Sequence, residues 1–94
     1  MNTYQMYLGL ARSDNETVTP EQFDAYTSEV LDTLFDGYTI TDAVGNWKGE
    51  REQTKIVSIC TEYKDLVQKA ANLYKEFFEK DAVAISTLPA LEMV

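Results

Sequence analysis

The sequence predicts an α+β fold of four strands and two helices, in the order strand, helix, strand, strand, helix, strand. Three observations predict it. Residues Tyr38 to Glu62 read as two long strands around a turn, each arm rich in Thr, Ile, Val and Tyr. Two other stretches, about 19–35 and 64–80, repeat apolar residues at helical spacing. At 94 residues, 45% of them hydrophobic, the chain suits one domain with a single modest core.

The first strand spans Thr3 to Ala11, with Tyr4, Met6, Leu8 and Leu10 on one side and Gln5, Tyr7, Gly9 and Ala11 on the other. Both sides are almost uncharged, which suits a central strand. Gly9 in mid-strand costs stability and is expected to make room for a neighbouring ring or a close backbone. A polar loop, residues 12–18, leads to Thr19-Pro20-Glu21-Gln22, where Thr19 caps, Pro20 takes the first helical position and Gln22 completes a capping box. Phe23, Tyr26, Thr27, Val30, Leu31 and Leu34 then form the buried stripe of a helix ending near Phe35, with Asp36-Gly37 as the stop.

The central hairpin has arms at 38–44 and 53–61 and a turn through residues 45–51. Residues 64–80 form the second amphipathic helix, its stripe running through Leu66, Val67, Ala70, Leu73, Tyr74, Phe77 and Phe78. Residues 82–87 form a short last strand. The apolar tail 88–94, LPALEMV, is expected to dock on the domain or on a partner subunit. Right-handed crossovers then give a single ferredoxin-like domain over 1–94: a four-stranded antiparallel sheet in the order 4-1-3-2 with both helices on one face. Which side of strand 53–61 meets the helices is left open by the sequence.

This topology brings the end of strand 1, the start of helix 1 and the hairpin turn to one edge. Antiparallel pairing of strands 1 and 3 places Arg12 near Arg51 and Glu52, with Asp14, Asn15, Glu16, Asn46, Trp47 and Lys48 beside them. The helix start adds a positive dipole end, so a small anionic ligand is expected there. Candidate binding residues are Trp47, Arg51, Arg12, Lys48, Glu52 and Tyr7. Ordinary surface ion pairs of Arg12, Lys48 and Arg51 with Asp14, Glu16, Glu50 and Glu52 account for the same cluster.

Composition excludes several functions. A net charge of −8 opposes binding to nucleic acid or an anionic membrane. The charge is uneven: residues 1–47 hold Arg12 against eight acids, a balance of −7, and the rest hold seven basic residues against eight acids, a balance of −1. The sequence has no histidine, no metal-ligand spacing and no phosphate loop, so catalytic residues, a metal and a cofactor are not expected. Cys60 alone, in an apolar run, gives no sign of thiolate activation and suits a reducing, cytoplasmic setting. No apolar run approaches the ~18 residues of a membrane span.

The run Tyr4-x-x-Tyr7-Leu8-Gly9-Leu10, the Val18 to Phe23 segment, Phe35-Asp36-Gly37 and the Gly45-x-Trp47 turn followed by Arg51-Glu52 resemble an uncharacterised family of small bacterial and phage domains. The resemblance covers about residues 4–60, lacks the proline of the family's FPDG-like helix exit, and marks Gly9, Gly45, Trp47, Arg51 and Glu52. It implies the fold and no reaction. In architecture alone the chain is similar to dimeric α+β barrel proteins, which pair through open sheet faces. Strands 1, 3 and 4 offer little charge to water on either side, and two helices cover only one. The expected function is therefore a homodimeric binding or regulatory module paired through its open sheet face. The alternatives are a binder of a small anion at the Arg12, Trp47, Arg51 edge, and an acidic, phage-type inhibitor that sets the helix 1 acids against a cationic groove.

Overall fold

The computed structural model describes residues 1–12 and 15–94, and of Trp47 the backbone alone. Strand β1 (Asn2–Gly9) lies at the centre, paired antiparallel with β3 (Glu50–Thr61) on one side and β4 (Ala84–Leu88) on the other. Strand β2 (Thr39–Trp47) pairs outside β3, so the order is β2-β3-β1-β4. Taken from the other edge this is 4-1-3-2, the ferredoxin-like order expected from the sequence.

Helix α1, residues 20–34, starts on the capping box. The Thr19 hydroxyl accepts from the Gln22 N–H at 3.1 Å, and the Gln22 side chain accepts from the Thr19 N–H at 2.9 Å. From Thr27–Leu31 it widens to a π-helix, with the Asp32 N–H reaching back to the Thr27 carbonyl. The Thr27 hydroxyl bonds the Phe23 carbonyl at the start of this wide turn, competing with the backbone ladder. Adjacent Val30 and Leu31 are both buried within it. Helix α2 (Lys64–Phe78) buries Val67, Ala70, Ala71, Tyr74 and Phe78. It stops where Glu79 turns left-handed (φ 53) and the Lys80 N–H bonds the Lys75 carbonyl, a Schellman-type end.

The core lies between the helices and one sheet face. Tyr4, Met6 and Leu8 of β1 and Val57 and Ile59 of β3 meet Phe23, Tyr26, Leu31, Val67, Ala70 and Tyr74. The Val57 and Ile59 side of β3 therefore faces the helices. Burying two tyrosines requires partners for their hydroxyls. Tyr26 donates to the Ala70 carbonyl at 2.8 Å and Tyr74 to the Gly9 carbonyl at 2.7 Å. The two rings meet edge-to-face with centroids 5.0 Å apart.

Five expected details differ. Strand β1 spans Asn2–Gly9 and not 3–11, because past Gly9 the chain leaves the sheet and Ala11 bridges to Thr17. The turn is not residues 45–51: the strands run on to Trp47 and Glu50, joined by Lys48 (φ 51) and Gly49 (φ 82). Two successive positive φ values make this a two-residue type I′ turn, whose twist matches the strands it joins. Helix α2 ends two residues early at the Glu79 reversal, and β4 is 84–88 because its pairing with β1 begins at Ala84 opposite Tyr7. Phe77, expected in the buried stripe, is 42% exposed, because Tyr74 and Phe78 take the positions facing the sheet. Beyond Leu88, residues 89–94 are exposed.

Candidate functional site

Two places result from this architecture: the sheet face turned away from the helices, and the end of β1 where β4 no longer accompanies it. Because side chains alternate and cross-strand partners share a face, the register assigns the open face directly. From β1 it carries Thr3, Gln5, Tyr7 and Gly9, and from β3 Cys60, Ser58, Ile56 and Thr54. Leu88, Ser86 and Ala84 come from β4, and Thr39, Thr41 and Ala43 from β2. None of these fourteen positions is charged, in a chain that is 26% charged; towards the hairpin turn the same face continues through the rows Gly45 with Glu52 and Trp47 with Glu50, where it carries two acids.

Four polar side chains on this face bond to one another. Gln5 donates to the Ser58 hydroxyl at 3.2 Å and accepts from Tyr7 at 3.1 Å, and the Tyr7 hydroxyl lies 3.2 Å from that of Ser86. One chain of bonds thus crosses β3, β1 and β4. The Tyr7 ring stands at its centre, 36% exposed. Cys60 is a free thiol, half-buried on the same face. The face is thus less greasy than the sequence suggests, yet its central stretch is uncharged, and the hydroxyls of Tyr7, Ser58 and Ser86 are engaged sideways, while that of Thr3 is buried without a partner among the described residues.

At the other place, the carboxylate of Glu52 accepts from the Ala11 N–H at 2.8 Å and pairs with the Lys80 ammonium at 2.8 Å. Lys80 also donates to the Ala11 carbonyl. Together with Tyr74 on the Gly9 carbonyl, these contacts supply partners to backbone at and just beyond the end of β1, which β4 is too short to pair. Gly9 makes the crossing possible: a Cβ there would lie 2.4 Å from Glu52 Oε2. The Tyr74 phenol is pushed up by burial first and by the Glu52 charge second, and that of Tyr26 by burial first and by Tyr74 second.

The residues singled out in the sequence distribute themselves around this lock. Glu52 belongs to it. Arg12, one residue beyond Ala11, points to the end of α2, where its guanidinium is 3.9 Å from Glu79. Arg51 stands opposite Asn46, and Lys48 is at the turn. Glu50, the first residue of β3 after that turn, is two residues from Glu52, about 7 Å at ~3.3 Å per strand residue. Trp47 is opposite Glu50 in the register, and its side chain lies outside the described residues, as does Asp14. Tyr7 is on the open face, two residues before Gly9, over which the Glu52 carboxylate lies. The sequence does not single out Lys80: a lysine after a helix is ordinary, and only the short β4 and the αL residue before it give it this place.

The match to a family described as protein of unknown function (DUF3574) spans residues 3–92, and the chain belongs to that family. No functionally curated protein matches it. Among solved structures it is similar to a phage SAM lyase in complex with S-methyl-5'-thioadenosine, with a TM-score of 0.64 and 14% identity over 94% of this chain and 80% of that one. It is also similar to CutA1 from Oryza sativa, with a TM-score of 0.57 and 15% identity over 100% and 84% of the two chains. For the divalent ion tolerance protein CutA1 from Ehrlichia chaffeensis the TM-score is 0.54, with 23% identity over 99% and 85%. At these identities the likeness establishes the ferredoxin-like fold alone. Among the described residues, no helix is long and apolar enough to cross a membrane.

Proposed function

We propose that this domain is a homo-oligomeric binding or regulatory module whose copies pair through the open sheet face. The observation that carries the reading is the absence of charge from the fourteen positions of its central stretch, in a protein of net charge −8; the acids of that face, Glu52 and Glu50, lie at its hairpin end, and Glu52 is paired with Lys80. A surface kept for water would carry its share of Lys, Glu and Asp, as the outer faces of both helices do. A surface kept for another copy excludes them, because an unpaired charge buried at the contact is costly.

The lateral bonds from Ser58 through Gln5 and Tyr7 to Ser86 support the same reading. Hydroxyls and amides that already have partners can be covered without losing a full solvation shell. Tyrosine at the centre of an uncharged patch is also a common anchor at protein contacts. Ser58→Arg, placed mid-face, tests the proposal. The variant is expected to keep its helical circular dichroism and to sediment as a smaller species than the native chain. A variant that sediments like the native chain would count against pairing through this face.

A further inference from the structure

A second surface lies on the opposite side of the molecule, where α1 meets the last turn of α2. Here Gln22, Ala25, Tyr26, Glu29, Phe77 and Phe78 line a cleft of about 310 Å³. Its floor is aromatic: the Phe77 ring stands edge-on to Tyr26 (centroids 6.3 Å, 88°) and to Phe78 (6.2 Å, 89°). Phe77 leaves 42% of its surface to solvent although α2 buries its other aromatic residues. The cleft's α1 wall contains Tyr26, the last α-helical residue before the π-helical widening, and Glu29 within that widening.

The rim decides what fits. Helix α1 has no basic residue, and Glu21, Asp24 and Glu29 are all exposed on it. Among the described residues none of these three is in an ion pair. Glu21, Ala25 and Glu29 follow at intervals of four, so two carboxylates bracket the small residue that opens the cleft. We infer that this cleft docks a basic amphipathic segment of another protein, with one large apolar side chain seated on Phe77 and Phe78 and Lys or Arg set against Glu21 and Glu29.

Charge complementarity separates this occupant from the obvious competitor. The apolar tail of a second copy, with Leu91 and Met93 exposed, brings Glu92 and no basic residue. Placed in the cleft it would set acid against acid, and like charges at a contact penalise the wrong partner. A cationic helix meets the opposite situation, since its apolar stripe and flanking charges match an apolar floor between acids.

The test uses a synthetic peptide of about 14 residues, four helical turns, made of leucine and lysine with leucines at helical spacing, and a scramble of the same composition. Amide shifts of the full chain are followed by NMR during titration. The patterned peptide is expected to move the signals of Ala25, Glu29 and Phe77 and to bind at least tenfold tighter than the scramble. Phe77→Ala, and separately the pair E21Q and E29Q, are expected to weaken it fivefold or more; both alter exposed side chains, so the fold should survive. Equal binding of the scramble, or shifts gathered elsewhere, would overturn the proposal. So would cleft signals that move on deleting residues 89–94 with no peptide present, because the occupant would then be the tail.

Discussion

The carboxylate of Glu52 fills the space that a β-carbon on Gly9 would need, 2.4 Å from the position such an atom would take. Glu52 reaches across β1 at its glycine to hold the Ala11 N–H and the Lys80 ammonium. The glycine, the acid and the lysine are therefore one device, although 71 positions separate Gly9 from Lys80 in the sequence.

That coupling predicts a sign change. In the native chain Gly9→Ala displaces the carboxylate from the Ala11 N–H and from Lys80, at a cost of about 1–3 kcal/mol. In a Glu52→Ala background the obstacle is gone, and Gly9→Ala should be neutral or stabilising by up to roughly 1 kcal/mol, since alanine loses less backbone entropy on folding. Urea denaturation of the four proteins in this cycle measures the interaction. Additive effects would mean that Glu52 and Gly9 do not share the space.

The hairpin turn makes a local prediction. Gly49 adopts φ 82 with nothing near its Cβ position, so Gly49→Ala incurs backbone strain alone, about 1–3 kcal/mol. Lys48→Asn restores the Asn-Gly pair that type I′ turns favour and should raise stability by a few tenths of a kcal/mol. Thermal melts of both variants check the two directions.

The strand order, both helices and most of the core were legible in the chain, because capping residues and the 2- and 3.6-residue periods are local signals. Thr19 and Gln22 form the box they spell, and Met6, Leu8, Val30 and Leu31 are buried as their spacing implies. The turn was not legible: the rows Gly45 with Glu52, Asn46 with Arg51 and Trp47 with Glu50 lack the alternation that marks a strand, so they resemble a loop. Gly9 was expected to admit a ring or a backbone, and it admits a carboxylate from across the sheet. The inward side of β3 had two equally apolar options, and only packing against the helices chose Val57 and Ile59 over Ile56 and Cys60.

Alkaline pH should expose the buried phenols. Unfolded tyrosines lose their protons near pH 10, while Tyr26 and Tyr74 hold theirs to higher pH in the fold, chiefly because of burial. Between those limits the folded state binds more protons than the unfolded one, so stability is intact below about pH 10 and falls as pH rises beyond it. Urea midpoints measured from about pH 8.5 to 11.5 should decline over the upper part of that range (a window set by the ordinary phenol value). Tyr26→Phe and Tyr74→Phe should each flatten the decline, at a cost near neutrality of about 1 kcal/mol for the missing hydrogen bond.

The pairing of copies through the open sheet face is the claim on which the proposed function rests. Light scattering on the native chain at micromolar concentration measures it most directly. A particle of two or more chains is expected, reduced towards one by Ser58→Arg. A monodisperse particle of 10.7 kDa, the mass of one chain, would contradict it.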